Sequence, residues 1–327
     1  MNKIMGKFNG AALLAASLTF FACGSDGSST SAETNTPEMS SVVAPTSSAA
    51  PVVGESSAIV SGESSSSVGS GDVVASSDAG VPLDSAAALA AEVAKDQAFV
   101  EASKMNKFVG IKQFLDARVE GERRILILRH GRRDKDDSSI GAHLTELGVE
   151  EAKGVGVKIA GADPFFYGFS DYTRANETAT YIAEGRGETL SEANSVNLSA
   201  LNGGWYVKDS ETYSAYETEF TSGVGISSYE YIAAWVYDDK FADAVYSLAE
   251  RSVELMVNKV IPSVPSSYNF AIFISHDQLL VPLIAYCTGK NMGFYDSNTW
   301  LHYMSGIGIV IDAAGNRTYV PVEALDW

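Results

Sequence analysis

The segment Ile125-Leu126-Ile127-Leu128-Arg129-His130-Gly131-Arg132-Arg133 sets four apolar β-formers directly before three arginines, a histidine and a glycine. Its first half reads as a buried strand. Arginine is among the residues least often buried without a partner, so the second half reads as a strand end that faces an anion. The chain around it is acidic, with 41 Asp and Glu against 23 Lys and Arg and a formal charge of −18. That balance argues against nucleic acid and against anionic membrane surfaces as partners. It also makes one concentrated basic site conspicuous.

Outward from this strand, the 327 residues alternate between strand and helix patterns. Asp84 is a good cap before the alanine-rich helical run that comes after it. After the first strand, residues 144–161 have Leu144, Leu147, Ala152, Val155 and Ile159 at helical spacing, with Thr145 as cap and Gly161 as stop. "PFFYGFSD" is a second strand, and "YTRANETATYIAEG" a helix ending at Gly185. Residues 241–260 read as one long amphipathic helix. "YNFAIFISHD" is a third strand, "LIAYCTGK" a helix closed by Gly289, and "SGIGIVIDAAGNRTYVPV" a hairpin turning near Gly315-Asn316. Continuous apolar strands alternating with helices predict a three-layer α/β/α fold on a mainly parallel sheet, with the C-terminal hairpin adding antiparallel strands.

In open α/β sheets, ligands bind outside the carboxyl ends of the strands. The first strand ends in Arg129, His130 and Arg133. The second ends in Ser170 and Asp171, with Arg174 in the first turn of its helix, and the third ends in His276 and Asp277. If the strands are parallel, three arginines, two histidines and a carboxyl converge at one edge. Arginine's planar fork suits phosphate oxygens, and a helix start adds donors and a favourable dipole. The expected ligand is a phosphoryl group.

These stretches are "RHGRR" at 129–133, "LTELGVEEA" at 144–152, "SDYTRANETA" at 170–179 and "SHD" at 275–277. In that order they resemble the histidine phosphatase superfamily, which includes histidine acid phosphatases, phytases and cofactor-dependent phosphoglycerate mutases. The resemblance spans about Arg123 to the end of the chain. It implies that His130 is a nucleophile forming a phosphohistidine, that Arg129, Arg133, Arg174 and His276 hold the phosphoryl oxygens, and that no metal or other cofactor takes part. It also implies that Asp277 is the general acid, as in acid-phosphatase branches; mutase-like branches use a glutamate elsewhere. No acid lies between Ser199 and Val207, which leaves Glu211 or Glu217 as the fallback. A working acid must hold its proton near the operating pH, so burial or a negative neighbour has to raise Asp277. The sequence departs from the acid-phosphatase pattern at Lys135, where a proline is common, and Arg132 therefore competes with Arg133.

Each residue alone has an ordinary alternative: His130 or Asp277 as a helix cap, Arg174 as a surface ion pair. His143 and His302 read as structural, and Cys287 as a buried thiol. "GVGV" at 154–157 lies inside a helical pattern and does not come after a strand, so it is not read as a nucleotide loop. Residues 200–240 are rich in Trp and Tyr. In the family resembled, insertions here cover the site, so they read either as a cap for the non-phosphate part of the substrate or as a satellite hydrophobic cluster. Their shortage of Lys and Arg argues against polyphosphorylated substrates.

The first 23 residues hold Lys3 and Lys7, an apolar run from Ala11 to Ala22, and then Cys23. The run is too short to span a bilayer and reads as a bacterial lipoprotein signal with Cys23 as the lipidated residue; an ordinary secretory signal is the alternative. Residues 24–83, mostly Ser, Ala, Val, Gly and Thr, read as a flexible tether. The expected organisation is thus a signal at 1–23, a tether at 24–83, a helical extension at 84–118 and a catalytic domain at 119–327. The expected place is outside the cytoplasm, in the periplasm or at the cell surface, with the membrane a partner only through the lipid. The leading functional reading is a metal-independent phosphomonoester hydrolase on a small-molecule substrate. A silent phosphate-binding surface lipoprotein and a phosphoglycerate mutase-like enzyme are the alternatives.

Overall fold

The computed structural model describes residues 85–223 and 225–325. Asp84, Cys23 and the tether lie outside the described residues. In chain order the elements are α1 (Ala86–Ser103), β1 (Val109–Gly110), α2 (Ile111–Asp116), β2 (Arg123–Arg129), α3 (Glu146–Lys158), β3 (Phe165–Phe169), α4 (Thr173–Arg186) and β4 (Ser195–Asn197). Two 3₁₀ turns, Ser199–Leu201 and Gly203–Tyr206, lead to α5 (Ser210–Thr221) and α6 (Ser228–Asp238). Then come α7 (Leu248–Glu254), a π-helical stretch Leu255–Val260, the short α8 (Ile261–Ser263), β5 (Phe270–Ser275), α9 (Asp277–Cys287), β6 (Ser305–Ile311) and β7 (Arg317–Glu323).

The seven strands form one sheet in the order β1-β7-β6-β2-β5-β3-β4. Pairing is parallel throughout except on the two sides of β6. The central strands β2 and β5 are buried on both faces because successive side chains alternate between them. Ile125, Ile127, Ala271 and Phe273 enter one core with α1, α6, α7 and α9. Leu126, Leu128, Ile272 and Ile274 enter the other with α2, α3 and α4. This is the expected mainly parallel α/β/α sandwich. On the second face α3 and α4 meet closely at Gly156 and Gly185, where an added Cβ would sit 2.1 Å from the Ile182 and Lys153 carbonyl oxygens respectively. Of the "GVGV" run, Gly156 therefore serves helix packing.

Several boundaries differ from the sequence reading. Ser85 caps α1, its hydroxyl accepting from the Ala88 amide. The extension also supplies a strand: β1 is two residues long, too short for any periodicity to show, and pairs with β7. Helix α4 runs one residue past Gly185 and is closed by Gly187 at φ 81°. The helix expected from Phe241 starts at Leu248, because Phe241 takes a left-handed φ of 62° and Val245 bridges to Val207. Helix α9 starts at Asp277, directly after β5 and ahead of the apolar run at Leu283. Residues 85–118 are fastened by a buried charge cluster. Asp96 of α1 accepts from Arg317 Nε at 2.7 Å, from Tyr286 Oη at 2.9 Å and from Tyr319 Oη, while Arg317 Nη2 reaches Glu92 at 2.7 Å.

Removing one partner of such a buried set leaves the others uncompensated. Asp96→Ala should lower unfolding stability by about 3–5 kcal/mol, measured by urea denaturation. A loss under about 1 kcal/mol would show that α1 is not held this way.

Candidate active site

Parallel pairing sets Arg129 opposite Ser275 and Phe169 opposite Ile274, so β2, β3 and β5 end together. The residues just past the three strand ends therefore meet. Arg129, His130, Arg133, Arg174, His276 and Asp277 all line one cavity of about 370 Å³. Arg132 does not: its Nε donates to both carboxylate oxygens of Glu151 at 2.8 and 2.9 Å. Arg133 is the arginine placed at the cavity, its Nη1 bound back to the Asp134 and Lys135 carbonyls.

The His130 ring is buried, and its Nδ1 lies 2.8 Å from the Gly131 carbonyl oxygen. A carbonyl only accepts, so Nδ1 carries the proton and Nε2 the lone pair. Arg174 Nε, 3.2 Å away, donates to that lone pair. Burial, then His276, Arg174 and Arg129, hold His130 well below the ordinary imidazole range. It is a neutral base in a positive surrounding. The turn that presents it is braced by Thr178 Oγ1, which accepts from the Gly131 amide at 2.9 Å and donates to the Arg174 carbonyl. Gly148 lets α3 press on the same loop, since a Cβ there would lie 2.3 Å from the Arg132 carbonyl oxygen.

His276 sits beside it, ring centroids 5.2 Å apart. Its Nδ1 faces Arg174 Nη2 at 3.5 Å and its Nε2 faces Ser170 Oγ at 2.8 Å. Arginine only donates, so Nδ1 accepts and Nε2–H goes to Ser170. Burial first, and then Arg174, hold this imidazole too far below its ordinary range. Arg174 lies over the Tyr172 ring at 4.3 Å and donates to the Ser139 carbonyl at 2.7 Å. Burial, then Arg133, brings it down to about 10. Arg129 donates to the Leu301 carbonyl and pairs with Asp277 at 2.9 Å. Its Nε is buried with no hydrogen-bond partner. A buried guanidinium edge with nothing to donate to is what an oxyanion would satisfy.

Asp277 departs from the expectation set for a proton donor. Burial raises its carboxyl, but Arg129, Trp300 Nε1 at 2.9 Å and the Gln278 amide at 3.0 Å bring the net position below the ordinary carboxylate range. As the first residue of α9 it also meets the positive end of a helix. Of the fallbacks, Glu211 is exposed. Glu217 is raised by burial, and the hydrogen bond opposing that rise comes from Ser228, a residue lining the cavity.

Sequence reasoning missed the rest of the wall. Trp300 packs on Tyr229 with centroids 4.4 Å apart, Arg251 enters from α7, and Asn202–Trp205 cross one side. Trp300 and Arg251 lie in stretches without motif character. Within the insertion at 200–240, Trp205 and Tyr229 line the cavity, while Tyr213, Phe220 and Tyr231 form an aromatic group with Phe241. Asp171 is exposed and ties the β3 end to Ser199 and Asn202. His143 is exposed and bound to Glu177, which raises it; Cys287 is a buried free thiol, likewise raised by burial. Among the described residues, no three His, Cys, Asp or Glu are grouped to hold a metal ion.

With this geometry in hand, residues 125–204 match the family described as histidine phosphatase superfamily (branch 1). The likeness to the histidine phosphatase superfamily is thus confined to this segment. It contains Arg129, His130, Arg133 and Arg174 but ends before His276, Asp277 and both fallback glutamates, so the match does not decide the proton donor. No curated protein sequence matches. Among solved structures, the phosphoglycerate mutase of Bacillus anthracis is 18% identical, covering 62% of this chain and 94% of that one at a TM-score of 0.43. A mycobacterial glucosyl-3-phosphoglycerate phosphatase is 17% identical, covering 63% and 100% at 0.37. A putative alpha-ribazole-5'-P phosphatase of Escherichia coli is 18% identical, covering 62% and 96% at 0.36. At such identities they bear on neither activity nor substrate.

The two depressed histidines link stability to pH. Folded His130 and His276 refuse protons that the unfolded chain accepts near pH 6.5, so stability should fall as pH drops below that value. Urea denaturation from about pH 7.5 to about 4.5 should show this fall, and His276→Gln should make it shallower. An unchanged slope in the variant would mean that His276 is not held neutral.

Proposed function

We propose that the chain is a phosphomonoester hydrolase working through a phosphohistidine on His130. The observation that carries this reading is the His130 Nε2 lone pair set among buried arginines, with Arg129 Nε lacking an acceptor. Nε2 attacks phosphorus, the ester P–O bond breaks, and the leaving oxygen takes a proton. Water then attacks the same phosphorus, the P–N bond breaks, and inorganic phosphate and the free imidazole return. Arg129, Arg133 and Arg174 meet the phosphoryl charge throughout. Positive charge already fixed in the site supplies what a metal would otherwise provide.

Asp277 remains the proposed donor by position, and a phosphate arriving beside it would raise it by like charge while competing for Arg129. Glu217 is favoured by one observation: its environment already holds a proton more tightly. Leaving-group dependence separates them. Losing the true donor should slow alkyl phosphates about 10²–10⁴-fold and 4-nitrophenyl phosphate far less, since nitrophenolate leaves without help. Asp277→Asn and Glu217→Gln, compared on both esters, identify it.

For the reaction itself, 4-nitrophenyl phosphate should be hydrolysed with chelator present. His130→Ala should lower kcat by about three orders of magnitude or more, and Arg174→Gln by about 10²–10³. Phosphate binding without turnover of any monoester would favour the silent binding protein, and transfer between phosphoglycerates would favour the mutase.

We further propose that Cys23 is lipidated and holds the domain to a membrane outside the cytoplasm, on the strength of the apolar run and the Ala22-Cys23 junction. In a bacterial host, labelled palmitate should enter the wild type and the protein should partition with detergent. Cys23→Ala should lose both; label retained in that variant would refute the assignment.

A further inference from the structure

The phosphoryl cage accounts for three of the four arginines that line the cavity. The fourth, Arg251, comes from α7, an element that contributes nothing else to the cage. Among the described residues, Asp277 is the one acid lining the same cavity, and Arg129 already pairs with it. The interior thus carries an excess of positive charge in a strongly negative chain. A phosphoryl dianion held by the other three arginines leaves Arg251, paired with Glu254, without a part in the transfer.

Arg251 is held rather than free to swing. Its Nε donates to the Trp205 carbonyl at 3.2 Å, and Trp205 Nε1 donates back to the Arg251 carbonyl at 2.9 Å. The guanidinium lies 3.7 Å from the Trp205 ring centre and 4.4 Å from that of Tyr246. Nη1 pairs with Glu254 at 2.6 Å. These bonds engage two of the three nitrogens and leave Nη2 for a ligand, with the side chain 20% exposed. A preorganised arginine spends little entropy on binding, so its bond to an oxyanion keeps most of its strength. The lining also holds three aromatic side chains: Trp205 under Arg251, and Tyr229 packed on Trp300, whose Nε1 donates to Asp277. At about 370 Å³ the cavity falls in the range that holds a small organic molecule.

Resting on the hydrolase reading above, we propose that Arg251 and these aromatic side chains form a leaving-group subsite, and that preferred substrates are phosphomonoesters whose alcohol carries a second oxyanion. A carboxylate and a second phosphate share the chemistry that an arginine fork reads. The body between the two anions packs on the rings.

Three aryl esters test this on the full-length protein: 4-carbamoylphenyl phosphate as the neutral reference, 4-carboxyphenyl phosphate, and benzene-1,4-diyl bisphosphate. The charged esters should exceed the neutral one in kcat/KM by about 10- to 100-fold, the span of a charge-assisted hydrogen bond, mainly through KM. Whichever charged ester leads identifies the oxyanion. Arg251→Met should bring the preference close to unity, and Arg251→Lys should keep part of it. Glu254→Gln should increase the preference by relieving the neutralisation of Arg251, and this variant leaves the Trp205 stack intact. Equal rates on neutral and charged esters in the wild type would overturn the subsite, as would an equal loss on all three esters in Arg251→Met or an unchanged preference in Glu254→Gln. If no ester turns over, the hydrolase reading fails separately. Calorimetric binding of the same esters, with the same charge preference and the same loss in Arg251→Met, then decides the subsite by itself.

Discussion

Strands β2 and β5 run parallel with Arg129 opposite Ser275, and the next residues along the two strands are His130 and His276. Two imidazoles reach one point because two strands stop at one level. A slip of one residue between them would turn one core set toward the wrong face, and both faces of this sheet are covered, so the apolar pattern fixes the register. Leu126 and Leu128 pack toward α3 and α4 while Ile125 and Ile127 pack toward α9. The energetics of the core, rather than any bond at the site, thus hold the two ring centroids 5.2 Å apart. Helix α4 completes the arrangement by bringing Arg174 between them from β3.

Concentrating arginines in a buried corner is costly unless their charge is met. Here it is met in part by carbonyls: Leu301 for Arg129, Ser139 for Arg174, Asp134 and Lys135 for Arg133. Carbonyl oxygens orient a guanidinium without cancelling its charge. Burial first, and then the same positive field, keep both histidines neutral, which a nucleophilic nitrogen requires. That field also draws Asp277 toward its ionised form, against what proton donation requires. On the proposed reaction, one field would help the attack and hinder the departure, until an anion enters and offsets it.

The parallel sheet, the strand ends and the six convergent residues were legible in the sequence because each rests on a local pattern. Apolar runs named β2, β3 and β5, and the polar residues directly after them named the edge. What stayed hidden depends on contacts between distant residues. Trp300 reaches Asp277 across 23 positions, and Arg251 stacks on Trp205 across 46. Nothing near Arg251 marks it: in sequence it is one more charge on an amphipathic helix. That helix starts later than its pattern suggests because Phe241 adopts a left-handed backbone that its residue type does not announce. The choice between Arg132 and Arg133 needed coordinates, since only these show that Glu151 takes Arg132.

Glu217 reflects the same distinction between local and distant cause. It lies on α5, whose sequence is mostly polar and which buries no residue fully. Its carboxyl is shielded by a neighbouring helix, α6, whose residue Ser228 touches both Glu217 and the cavity. Asp277 is the reverse: its place in the chain announces a role, while its donors keep it ionised. Position in the chain favours one carboxyl and environment favours the other. A proton donor must satisfy both during the reaction, so the decisive quantity is how far a bound phosphoryl dianion raises Asp277. That depends on whether Arg129 turns its unpartnered Nε alone to the substrate or gives up its pair with Asp277 as well. If the pair holds, the carboxylate stays ionised, and on the proposed reaction the proton has to come from water or from a group outside the cavity lining, such as Glu217.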